Sequence, residues 1–344
     1  MTDKERILYI DILRIISILA VITIHVSSSF FKNINVDWMA ANLYDSFSRW
    51  SVPIMVMVSG FLLLDPQKEY PIKIFFKKRV NKILIPLIFW GIVYTIWKYK
   101  TGIIEGQSLP IMLILKSFID GTVFYHLWFI YMIIGLYIST PILKIYIKHA
   151  TRNDIKYFLI VWFLSSNIID IFMKRIHIGS LIDLHLFTGF VGYYILGHYL
   201  KDLEYDKKWT ISLPYVLFIS GFLITFVGTY IISLNKGLFD GIFYNYFALN
   251  VLMMSIGIFI LVKDIEWSKT IKNIYLKNFI LDVGPLAFGI YLIHALILQW
   301  LNSLIKIKLN PIIDIPLTVI LVASISYILI KIMKKLPLIE KAVP

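Results

Sequence analysis

Three ionisable side chains interrupt an otherwise apolar stretch, IDILRIISILAVITIHVSSSF from Ile10 to Phe30: Asp11, Arg14 and His25. On a helix turning about 100° per residue, Arg14 follows Asp11 by about 300° and His25 follows Arg14 by about 20° after whole turns, so all three share one face. A neutral imidazole, with an unperturbed pKa of about 6.5, takes and returns a proton near neutral pH. A guanidinium fork suits phosphate or a carbonyl oxygen. The competing structural account is an i,i+3 ion pair of Asp11 with Arg14 near the lipid headgroups, and a packing hydrogen bond from His25 to a neighbouring helix. For Asp11 alone the two accounts weigh equally. Charges in lipid cost about 2.5–3.5 kcal/mol each on insertion scales and normally face a bundle interior or a watery cavity, so the stripe as a set points to function.

The elements that hold such a stripe are membrane helices. The 344 residues are 59% apolar and 16% aromatic, with a mean hydropathy of +0.78, far above a soluble domain. A hydrocarbon core of roughly 30 Å needs about 20 apolar residues per helix. Ten runs qualify, at 7–31, 46–64, 82–98, 123–146, 156–173, 185–201, 211–234, 242–262, 279–301 and 311–333. The expected fold is therefore an all-α, polytopic helical bundle of one integral-membrane domain over 1–344, with no separate soluble domain. The longest gap, 99–122, contains LPIMLILKSFI, which is suited to lying at the interface rather than spanning. No internal repeat, low-complexity tract or linker stands out.

Absence of cysteine excludes disulfides, thiolate metal sites and a cysteine nucleophile. Histidines are scattered without a His-x-x-x-His pair, so no metal is expected. The net charge of +13 would suit nucleic acid, but its distribution argues otherwise. Counted alternately by side, 23 Lys and Arg fall on one side of the membrane and nine on the other. That is a positive-inside pattern, which predicts cytoplasmic termini and contact with anionic membrane lipids, and no nucleic-acid partner. Lys4, Arg6 and Ser27 to Ser29 resemble a cleaved signal, but Asp11 and Arg14 break its apolar region, so the first helix is expected to remain.

Five stretches, in order, resemble the acyltransferase-3 family of integral-membrane O-acyltransferases. They are Asp11, Arg14 and His25 in the first helix; PIMVMVSGF from Pro53 to Phe61; KKRVNKILIPLIFW around Arg79 and Lys82; HLWFIYMIIGLYISTPIL from His126 to Leu143; and LAFGIYLIHALI with Tyr291 and His294. Met55 stands where the family usually has Phe, Lys82 where Arg is commoner and Ala287 where Ser is frequent. The resemblance spans about 6–335, and implies transfer of an acyl group, expected to be acetyl, from cytoplasmic acyl-CoA to a hydroxyl of an envelope polysaccharide or lipid-linked glycan.

The family pattern and depth then assign roles. His25, on the outer half, is first choice for the base acting on the acceptor, either directly or through an acyl-histidine. His126 and His294 are the further catalytic candidates. Arg14, Arg79 and Lys82 are expected on the donor side, with Asp11, Ser59, Trp128 and Tyr291 lining the substrate path. Each has a structural alternative: headgroup anchoring for Arg79 and Lys82, a membrane aromatic belt for Trp128, and helix packing for Ser59 with Gly60 and for His294. Lys77 and Lys78 are read as headgroup anchors. His149, His177 and His198 receive no role, and Asp183 with His185 is only a weak outer pair. Some family members carry an additional esterase-like domain. In this chain either the membrane part completes the transfer or an extracytoplasmic partner does. The alternatives from other classes are a transporter or flippase for an envelope glycan or small polar solute, and a ligand-binding membrane module.

Overall fold

The computed structural model describes residues 8–31, 33–68, 71–102, 111–169, 189–201, 203, 212–304, 309–337 and 339–344. The described residues are helical, in the order α1 (Leu8–Ser27), α2 (Val36–Ser48), α3 (Ser51–Leu63), α4 (Ile72–Arg79), α5 (Ile85–Lys100), α6 (Ile111–Ile119), α7 (Trp128–His149), α8 (Arg152–Phe163), α9 (Val191–Lys201), α10 (Leu213–Lys236), α11 (Leu249–Asp264), α12 (Trp267–Thr270), α13 (Ile274–Val283), α14 (Ala287–Leu304) and α15 (Pro311–Met333). Among them are eight helical stretches long and apolar enough to cross a membrane: 8–30, 36–63, 72–100, 128–149, 213–236, 242–264, 274–304 and 311–333. The chain is thus a multi-pass, all-α membrane protein. The two other expected spans are described only as 152–169 and 191–201; residues 170–188, including His177, Asp183 and His185, lie outside the described residues.

Several boundaries move for local reasons. The second span begins at Val36 rather than 46, because the Asn35 side chain accepts from Trp38 N at 2.9 Å and caps the helix. The third begins at Ile72, since α4 runs through a π-helical segment, Val80–Leu84, into α5 with Pro86 in its first turn. His126 does not begin the fourth helix. It sits in the preceding turn, where Leu127 N bonds Phe124 O and Ile130 N bonds Leu127 O. α6 leaves Met112 and Ile119 exposed while Phe118 packs on Gly91 of α5.

The chain packs into two units. The first comprises Met1–Lys68, Ile142–Pro285 and Ile307–Ile320. Its closest approach is α3 against α9, where a Cβ on Gly60 would lie 1.8 Å from Tyr194 O and one on Gly197 would lie 2.0 Å from Met57 O. Two backbones meet there without intervening side chains, the small-residue packing typical of helices in lipid. α10 and α11 pair similarly: Gly221 abuts Asn250 O, and Asn250 Nδ2 donates to Thr225 Oγ1 at 2.7 Å. The second unit comprises Glu69–Pro141, Leu286–Lys306 and Leu321–Pro344. There α14 packs Gly289 against Ile330 of α15, and α5 joins α14 through Tyr94 Oη donating to Leu292 O at 2.7 Å. The last residues fold back on α5: Trp90 Nε1 donates to Ala342 O at 3.0 Å, and Val343 is buried.

Candidate functional site

In the first unit, α1 carries Asp11, Arg14 and His25, as expected from their spacing. Arg14 Nη1 donates to Asp11 Oδ1 at 2.9 Å, with Asp11 buried and the guanidinium one-third exposed. Asp11 also lies tight against the turn after α13, where a Cβ on Gly284 would sit 2.4 Å from Asp11 Cβ. The pair thus fixes Asp11 as a packing element while one side of the Arg14 fork stays open. His25 is half-buried in the last turn of α1, where Ser28 Oγ donates to its carbonyl at 2.8 Å. Ser59 Oγ donates to Met55 O of its own helix at 3.0 Å, and the neighbouring Gly60 makes the contact with α9.

The second unit joins His126 to two residues of α14 that the sequence keeps far from it. His126, Tyr291 and His294 are all buried; the His126 ring centroid lies 5.4 Å from Tyr291 and 5.0 Å from His294, edge to face in both cases. Tyr291 Oη donates to the His126 carbonyl. His294 Nδ1 faces Tyr291 O at 2.5 Å, and a proton there leaves Nε2 as the basic nitrogen of the neutral ring. Tyr94 at 5.0 Å, Phe124 at 5.6 Å and Tyr125 at 5.6 Å complete the aromatic wall around His126. Two imidazoles enclosed in rings can exchange a proton with a hydroxyl in a medium of low dielectric, where directed dipoles act more strongly than in water.

Arg79 ends α4, and its guanidinium carbon lies 5.6 Å from the ring centroids of both Phe75 and Tyr137. Lys82 is exposed on the π segment, and Trp128 is half-buried at the start of α7 with its ring 6.3 Å from Phe129. Arg79 is thereby held by aromatic faces.

Sequence reasoning missed a second buried polar cluster, in the first unit. Arg49 pairs with Asp45, and its guanidinium carbon lies 4.1 Å from the Tyr244 ring centroid. Tyr244 Oη donates to Asn42 Oδ1 at 2.5 Å, and Asn42 Nδ2 donates to Phe226 O at 3.1 Å. The signal was present as an i,i+4 Asp–Arg pair at the edge of an apolar run. Tyr94 and Phe124 were missed because aromatic residues are common throughout a membrane chain.

Compared with protein families, the chain matches the acyltransferase-3 model, described as an acyltransferase domain, over residues 7–331. No curated protein and no solved structure matches it. The family match runs through both units and contains every residue of the two groups described above.

Proposed function

The chain belongs to the acyltransferase-3 family, and from that premise we propose that it moves an acetyl group from cytoplasmic acetyl-CoA to a hydroxyl of an envelope polysaccharide or a lipid-linked glycan. The observation that carries this reading is the buried contact of His126, in the turn before α7, with Tyr291 and His294 of α14, three family-motif residues drawn together from two distant stretches of the chain. A packing role alone would not require two imidazoles within one ring of each other in a membrane bundle.

In this reading His25 takes the proton from the acceptor hydroxyl as its oxygen attacks the thioester carbonyl. The C–O bond forms, the C–S bond breaks, and the proton ends on the coenzyme A sulfur. If His25 is acylated first, its imidazole nitrogen attacks the thioester carbonyl, the C–N bond forms as the C–S bond breaks and the ring proton goes to the sulfur; the acceptor oxygen then attacks, the C–O bond forms, the C–N bond breaks and the hydroxyl proton returns to the imidazole. The open side of the Arg14 fork stabilises charge developing on the carbonyl oxygen, while Arg79 and Lys82 hold phosphates of the donor. His126 and His294 are the further catalytic candidates, and Ser59, Trp128 and Tyr291 are assigned to substrate binding. Asp11 positions Arg14.

Membrane vesicles containing the protein test the whole scheme. Acetyl-CoA should be consumed only when extracted envelope glycan is supplied, with label appearing on that glycan as an alkali-labile ester. Glycan movement across the membrane without consumption of acetyl-CoA would replace enzyme by transporter.

A further inference from the structure

We propose that Lys98 and Tyr125 form a subsite for an oxyanion on the acceptor, so that the glycan acylated by this protein carries a carboxylate or phosphate. The proposal rests on the acyl-transfer reading and adds the chemical class of the acceptor.

Lys98 lies in the last turn of α5, at the end that the asymmetry of basic residues assigns to the outside. Its ammonium is 5.6 Å from the Phe124 ring centroid and 3.5 Å from Thr122 O. Phe124 in turn stacks on Tyr94 at 4.2 Å and meets the His126 ring at 5.6 Å. A single aromatic ring therefore separates the Lys98 cation from the imidazole pair. Tyr125 bridges the same distance from the other direction: it is 48% exposed, yet its ring lies 4.8 Å from Phe124 and 5.6 Å from His126. An acceptor resting on Tyr125 would lie at the surface on a ring that also touches the buried His126.

The cation is held loosely. An ammonium has three donors, and a carbonyl at 3.5 Å with one ring face engages them only weakly. Lys98 takes part in none of the ion pairs among the described residues. At the preceding residue the structure is firm, since Trp97 Nε1 donates to Gln299 Oε1 at 2.6 Å and ties α5 to α14. A half-buried cation on a rigid helix end, beside the candidate centre, suits a partner with a fixed negative charge. A phosphate on a lipid headgroup offers the same chemistry, because lysine stems extend readily to the interface.

Full-length protein reconstituted in phosphatidylcholine vesicles, with and without phosphatidylglycerol, can be titrated calorimetrically with methyl glucuronide and with methyl glucoside. The charged sugar should bind roughly tenfold more tightly than the neutral one, as expected for a charge-assisted hydrogen bond. That ratio should fall towards one in Lys98→Gln and be restored in Lys98→Arg, irrespective of phosphatidylglycerol. Glucuronide binding no tighter than glucoside binding, including no binding of either, overturns the proposal. So does a ratio that survives Lys98→Gln, or one that depends on phosphatidylglycerol rather than on residue 98. Acetyl-CoA consumption with envelope glycan is measured separately and reports on the acyl-transfer reading alone.

Discussion

Replacing Arg14 by lysine would keep the charge that pairs with Asp11 and remove the planar fork, which makes it a sharper probe than alanine. An ion pair serving only architecture should tolerate Arg14→Lys, whereas a carbonyl or phosphate clamp should not. We expect acetyl transfer to fall at least roughly tenfold, the scale of one charged hydrogen bond, with an unchanged Tm in detergent. Under the proposed scheme, in which His25 acts on the acceptor, His25→Ala should abolish transfer while leaving acetyl-CoA binding intact. Full activity in Arg14→Lys, together with a His25→Ala loss that merely follows the amount of folded protein, would return the stripe to architecture. The stripe was legible because three ionisable residues in twenty apolar ones stand out, and their angles follow from helix geometry. The wall of Tyr94, Phe124 and Tyr125 was not, since no local pattern separates a ring facing His126 from one facing lipid.

At the scale of the element, close backbone contact sets the strongest constraint. Any side chain at position 60 must displace α3 from α9, because Tyr194 O occupies the space of a Cβ. Gly60→Ala should lower stability by about 1–3 kcal/mol, and Gly60→Leu should prevent recovery of folded protein; thermal unfolding in detergent reads both. An unchanged Tm in Gly60→Ala would mean that α3 and α9 slide apart at no cost. After α3, Asp65 gives the element a dependence on pH. Partial burial pulls its carboxyl up, but the Gln67 amide and the Lys201 and Lys68 ammoniums outweigh that and hold it below the usual carboxylate range. A lowered folded pKa contributes stability above the unfolded value and loses it as pH falls through the folded one. The Tm difference between wild type and Asp65→Asn should therefore be full at neutral pH, begin to shrink near about pH 4 and vanish only below the lowered folded value. The eight spans among the described residues were legible from apolar runs alone, while starts depended on Asn35 and on the π segment, devices that apolar counting does not detect.

For the whole molecule, the 23-to-9 division of basic residues predicts an orientation that labelling can check. Cysteines at Asn33 and Leu238 should react with an impermeant maleimide from outside, and one at Lys269 should react only after permeabilisation. The reverse pattern would turn the proposed donor and acceptor sides around. Membership of the family was legible from five ordered motifs, but the grouping of distant segments into two units was not, because sequence order says nothing of which helices return to one another. That grouping has a consequence in time. Tyr291 and the His126 carbonyl that it bonds are 165 residues apart in the chain. At about 5–20 residues per second, roughly 8–33 s of synthesis separate their appearance. During that interval α5 and α7 are made but α14 is not, so Tyr94 and His126 wait in the nascent membrane protein without Leu292 and Tyr291. Ribosome pausing within residues 142–285 would lengthen this exposure, and its mark would be selective loss of newly made chains to membrane proteases while mature protein persists.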